Sequence, residues 1–109
     1  MLHLMKCWGD AKKASTPQGA KNMLEKVYHS ANHIKDLAST FEYALMQHFG
    51  ESLRNFAEKI DINKKEHHII VDAHMNVMWV VYKENIKDHG GPKAEELKKI
   101  VAVAIEKYS

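Results

Sequence analysis

This 109-residue chain has only one cysteine and no long apolar run. Its single cysteine, Cys7, cannot form an internal disulfide, which is typical of proteins in the reducing cytoplasm. The longest apolar run, Val77 to Tyr82, is far shorter than the ~20 residues that a membrane-spanning helix needs. Because the charged Lys6 and Asp10 interrupt the N-terminal segment, we expect no signal peptide. The sequence therefore predicts a cytoplasmic protein without a membrane segment.

Strong charge and the common catalytic motifs are also missing. The net charge is only +2, and the lysine pairs are scattered among acidic residues, so we expect no nucleic-acid partner. The chain has no Walker loop, dinucleotide fingerprint, nucleophile elbow or paired-cysteine site. We therefore predict that it is not an enzyme.

What the chain does have is a long helical pattern after Asn63. Asn63 and Glu66 have the spacing of a capping box, and Gly90 can close a helix in the left-handed conformation. Between these two signals, residues at three-and-four spacing form a wide stripe: His67, Ile70, Val71, His74, Val77, Met78 and Val81. The pattern predicts a central helix over residues 64–89, buried on most of its circumference, around which the other segments pack.

The same stretch has an alternative interpretation as a strand over residues 66–86. Its apolar residues also alternate with polar ones, and β-branched side chains are frequent. Against a strand, no glycine, proline or turn signal interrupts residues 64–89, a run far longer than an ordinary strand. The helix is therefore favoured, and the strand stays open as the alternative.

The segment before the central helix also has a helical pattern. Thr16 and Pro17 form a typical helix start, because threonine caps the first turn and proline fits its first position. A second capping box, Ser39 with Glu42, predicts a break near residues 38–40. The apolar stripe of this segment comprises Leu24, Val27, Ala31, Ile34, Ala38, Phe41, Leu45 and His48.

Two further segments complete the predicted fold. Gly50 is expected to end the second helical segment, and residues 52–60 offer one more helical piece. Pro92 starts a last amphipathic helix that reaches Tyr108. The prediction is a single all-α domain of residues 1–109, a four- to five-helix bundle around the central helix 64–89.

Several histidines are candidate ligands. His29 and His33, four residues apart, share a helix face with Glu25 and Asp36, and such a face can bind Zn²⁺ or remain a solvated polar surface. His48 ends an apolar stripe, so we expect its imidazole to point into the core. A neutral imidazole in an apolar pocket can serve as an axial haem ligand. The alternative is a core histidine bonded to a backbone carbonyl.

Residues 17–48 and 92–108 resemble parts of a globin. The runs Gly19–Leu24 and His33–Phe41, followed by His48, are similar to the distal helix, corner and proximal helix of that family. The resemblance implies that His48 is the proximal ligand of a haem iron and that Gln18 or Gly19 occupies the distal position. It further implies that the porphyrin is lined by Met23, Leu24, Phe41, Leu45 and Val71.

Two functions of different class follow from these patterns. The first is a small haem-binding protein that binds or senses a gas, with His48 as the axial ligand. The second is a helical interaction or regulatory module without a cofactor, whose exposed apolar surface pairs with another chain. Self-association is a natural way for a small bundle to cover excess apolar surface, so we expect a homo-oligomer, such as a homodimer, or a protein partner.

Overall fold

The computed structural model describes residues 2–87 and 90–108, which form five helices. They are α1 (Leu2–Lys13), α2 (Pro17–Thr40), α3 (Ala44–Ala57), α4 (Lys65–Glu84) and α5 (Pro92–Tyr108). The described residues contain no strand, so the all-α prediction is confirmed and the strand alternative for residues 66–86 is wrong. None of the described helices is long and apolar enough to cross a membrane.

The start of α2 follows the predicted chemistry, whereas the start of α3 does not. The Gly19 N–H donates to Thr16 Oγ1 at 3.0 Å, and Pro17 occupies the first turn. The helix ends at Thr40, close to the predicted break. The Ser39–Glu42 capping box, however, does not begin α3. The N-cap of α3 is Tyr43, whose side chain makes no capping bond, and Glu42 has a positive φ of 61° in the turn.

The predicted bounds of the central helix are wrong at both ends. Lys64, rather than Asn63, is the N-cap of α4, and no side chain caps it. At the other end Asn85 adopts the left-handed conformation (φ 53°, ψ 46°) and its N–H bonds to the Val81 carbonyl. Asparagine tolerates this conformation, so the helix closes before it reaches Gly90. Residues 88 and 89 of the predicted helix lie outside the described residues.

The structure does not confirm that α4 is a central helix enclosed by the others. Its buried residues form one face, and Ile69 and Tyr82 on α4 are exposed. The most extensive contact between two helices is that of α2 with α3. The core is built from all five helices, and its largest fully buried side chains include Phe49, Leu4 and Ile70.

Gly50 explains the close packing of α2 and α3. It lies inside α3, where a Cβ would be 3.1 Å from Lys35 N and 3.2 Å from Ala31 O, both backbone atoms of α2. The prediction that Gly50 ends a helix is therefore wrong, and α3 continues through it to Ala57. The missing side chain lets the two helix backbones touch.

We predict that Gly50→Ala lowers the free energy of unfolding by up to about 2 kcal/mol, measured by urea denaturation. The added methyl must push two backbones apart, a cost of about 1–3 kcal/mol that outweighs the ~1 kcal/mol that alanine gains over glycine in a helix. Gly9→Ala is the matched control. Gly9 lies inside α1 with no atom within 4 Å of an added Cβ, so this change should stabilise the fold. Equal effects of the two substitutions would contradict the close contact.

Candidate functional site

His48, the predicted haem ligand, is exposed on α3. Its ring contacts Phe49 edge-on at 5.3 Å between centroids, and it lines the same open surface depression as Glu95 and Lys98 of α5. The expectation that its imidazole points into the core is wrong. The buried face of α3 centres on Phe49 and Leu53, and position 48 lies about 120° around the helix from that face. Because helix α2 ends at Thr40 and a turn precedes α3, the apolar stripe of α2 does not continue on the same side of α3.

The structure does not bring the other predicted haem-site residues together. Gln18 lies in the first turn of α2 and Phe41 is the C-cap at its other end, about 35 Å away along the helix axis. Gln18 is exposed and bonds to Asn22, while Gly19 bonds to the N-cap threonine. Met23 and Leu24 are half-buried against the core, whereas Leu45 and Val71 are fully buried within it. Haem binding by this set stays a prediction.

The alternative metal ligands His29 and His33 both lie exposed on α2. His29 makes an edge-on contact with the Tyr28 ring at 5.4 Å. Within residues 2–87 and 90–108, no group of three or more histidine, cysteine, aspartate or glutamate side chains is placed to hold a metal ion.

His74 on α4 is fully buried, and it joins α4 to α3. Its Nδ1 lies 2.8 Å from the Ile70 carbonyl, which can only accept, so Nδ1 carries the proton. Its Nε2 is therefore bare, and it accepts a hydrogen bond of 2.8 Å from the Ser52 hydroxyl. Burial lowers the pKa of His74 below its ordinary value, the bond to Ile70 opposes this shift, and the charge of nearby His48 adds to it. Both ring nitrogens are satisfied in the neutral state.

An open apolar groove lies where the ends of α2 and α4 meet the start of α3, and sequence reasoning missed it. Its volume is about 300 Å³. Its described lining residues, none of them charged, are Ile34, Leu37, Ala38, Phe41, Tyr43, Met46, Val81, Tyr82 and Asn85. Three large side chains stand out from its walls: Phe41 is 65% exposed, Tyr82 57% and Leu37 45%. Such a concentration of exposed apolar surface marks a candidate binding site.

The groove exists because α1 is half as long as α2. A loop of three residues, 14–16, joins the 12-residue α1 to the 24-residue α2, so the two pack as antiparallel neighbours. In such a hairpin α1 faces only about the first 12 residues of α2. The apolar stripe of α2 nevertheless continues through Ile34 to Phe41, beyond the reach of α1.

Contacts at one end of the groove hold its walls in place. The Tyr43 hydroxyl donates to Asn85 Oδ1 at 3.0 Å, which ties the α2–α3 connection to the C-cap of α4. The Lys87 ammonium lies 5.1 Å from the centre of the Tyr43 ring, a cation–π contact. Within α4, the Tyr82 ring packs on Trp79.

No protein-family model matches this chain, and the curated proteins and solved structures likewise contain no match. The globin resemblance therefore stays a prediction, and the groove's own geometry carries the functional proposal.

We predict that acid weakens the fold through His74. Its pKa in the folded chain is below the ordinary 6.5, so between these two values the unfolded chain binds more protons than the folded one. The contribution of neutral His74 to the free energy of unfolding is complete above about pH 6.5. As the pH falls towards the pKa of His74 in the folded chain, the free energy of unfolding decreases by up to ~1.4 kcal/mol per pH unit. Urea unfolding at a series of pH values below neutrality measures this slope.

The variant His74→Gln isolates the contribution of this residue, and the exposed His33→Gln is its control. We expect the pH slope of the free energy of unfolding to be shallower in His74→Gln and unchanged in His33→Gln. A slope that is the same in all three proteins would show that His74 does not couple protonation to folding.

Proposed function

We propose that this chain is a helical interaction module that binds apolar side chains of a protein partner in the groove between α2 and α4. The observation that carries the proposal is the uncharged groove with Phe41, Tyr82 and Leu37 exposed around it. Single exposed apolar residues are ordinary on protein surfaces, whereas a contiguous exposed patch marks an interaction site.

The residue types in the groove are those found at the centre of protein interfaces. Such centres are depleted in charge and enriched in aromatic side chains and methionine. The groove combines Phe41, Tyr43 and Tyr82 with Met46, whose flexible side chain adapts to different contacts. This composition supports a partner that presents apolar side chains of its own.

Size and rigidity also favour a protein partner. A volume of about 300 Å³ is roughly ten times the space that one water molecule takes up in the liquid, enough for a few inserted side chains. The Tyr43–Asn85 bond already ties the α2–α3 connection to the C-cap of α4, so binding has less of the groove to order. A preformed site of this kind loses less conformational entropy on association.

A titration with the apolar dye anilinonaphthalene sulfonate tests whether the groove binds apolar groups. We expect saturable fluorescence from the folded chain and a rise of about tenfold or more in the dissociation constant in Phe41→Ser. Because Phe41 is 65% exposed, the variant should keep its fold, which helical circular dichroism verifies.

Leu37→Ser and Ile69→Ser provide a matched pair for the same titration. The two residues are 45% and 43% exposed, but only Leu37 lines the groove. We expect Leu37→Ser to weaken dye binding and Ile69→Ser to leave it unchanged. Equal effects of both variants, or no saturable binding by the folded chain, would remove the support for the proposal.

A further inference from the structure

We infer that the partner enters the groove as an amphipathic α-helix of about three turns, which lies in line with α1 in the cleft between α2 and α4. The first half of this cleft is filled by α1, and the groove is its second half. This inference rests on the proposed function, because it names the structure in which the partner presents its apolar side chains.

Helix α1 shows which kind of segment this cleft accepts. Its buried residues have the spacing i, i+3, i+4, i+7, the pattern by which an amphipathic helix docks in a groove. They are Leu4, Cys7, Trp8 and Ala11. The helix packs along α2 and also reaches α4, where Trp8 Nε1 donates to Asp72 Oδ1 at 2.7 Å and the Trp8 ring contacts the His68 ring edge-on. Helix α1 therefore bridges the first halves of both walls.

Both walls continue past α1 with the same faces. On α2, Ala38 lies about five turns after Ala20 at the same angle around the helix, and Ala20 lines a surface depression together with Ala11 of α1. On α4, Tyr82 lies about four turns after His68 and within about 40° of it around the helix. Ala38 and Tyr82 both line the groove. The groove is thus the continuation of the α1 site along the same two helices.

The uncovered part of α2 sets the length of the occupant. Helix α2 has 24 residues and α1 has 12, so about 12 residues of α2, roughly 18 Å along the axis, extend beyond α1. A helix of about three turns has this length. Buried side chains of Ala38, Met46 and Val81 form the bottom of the groove, and the small Ala38 leaves room for an inserted side chain.

Hydrogen bonding distinguishes a helix from an extended peptide as the occupant. The described walls are helices, whose backbone groups bond internally, so they offer no strand edge to which an extended peptide could add. In the described lining only Tyr43, Tyr82 and Asn85 have polar side-chain atoms, and Tyr43 and Asn85 bond to each other. An extended peptide would leave backbone N–H and C=O groups without partners against this surface. A helix avoids that cost because it bonds its own backbone.

Fluorescence anisotropy with labelled synthetic peptides tests the inference. The amphipathic probe consists of about 14 residues of alanine, glutamate and lysine, with leucine at positions i, i+3, i+4 and i+7. One control has the same composition with the leucines consecutive, which spreads them around the helix. A second control keeps the leucine pattern but has proline in its central turn, which breaks the helix.

We expect saturable binding of the amphipathic probe and dissociation constants about tenfold or more higher for both controls. Binding of the proline peptide as tight as that of the probe would show that the groove does not select a helix, and would overturn the inference.

Substitutions in the chain locate the bound probe. Ala38→Leu fills the bottom of the groove without removing apolar surface, and Phe41→Ser removes an exposed apolar side chain from its wall. Each should raise the dissociation constant of the probe about tenfold or more, whereas the control Ile69→Ser should leave it unchanged. Helical circular dichroism verifies that each variant is folded. Probe binding that is insensitive to Phe41→Ser would locate the helix on another surface and overturn the inference.

The dye and the peptides together separate the inference from the proposed function. A chain that binds the dye in the groove but binds none of the peptides, or all of them equally, would overturn the helical partner and leave the groove as a site for apolar groups. A chain that binds neither the dye nor the probe would overturn both.

Discussion

The close contact between the backbones of α2 and α3 at Gly50 is the constraint on which the rest of the structure depends. With no Cβ at Gly50, α3 lies directly against Ala31 and Lys35 of α2. This position directs Phe49 and Leu53 into the core and lets Ser52 bond to His74 of α4. It also sets the relative positions of α2 and α4, because α3 packs on both helices and supplies Met46 to the groove between them. The α2–α3 contact therefore sets the spacing of the groove's walls, while the short α1 leaves the groove uncovered.

The type of fold could be predicted because apolar residues repeat at helical spacing and because local start signals act within one turn. Thr16 caps α2 and Pro92 begins α5, as their chemistry requires. The differences lie at residues that suit more than one role. The pattern predicts that Gly50 ends a helix, but Gly50 lies inside α3 and allows a close helix contact instead. Asn85 closes α4 before Gly90 can, and no local rule decides between two residues that both tolerate the left-handed conformation.

The candidate site could be predicted less well, because it depends on how far one helix extends along another. The stripe that contains Phe41 is visible in the sequence, and a stripe of this kind ordinarily faces a core. Phe41 is exposed because α1 is too short to cover the second half of α2, which is a property of the packed hairpin. The same limit applies to His48. Its position relative to the core depends on the turn after Thr40, and a continuous helical stripe cannot represent that turn.

The central claim is that the groove between α2 and α4 is the surface through which this chain binds apolar groups of a partner. Amide chemical shifts from nuclear magnetic resonance, recorded while anilinonaphthalene sulfonate is added to the folded chain, test it most directly because they locate the contact along the backbone. The account predicts that the shifts that change on addition of the dye cluster at residues 34–46 and 81–87, around the groove. Changes centred on the outer face of α5, where Ile100 and Val103 are also exposed, or no changes at any residue, would contradict it.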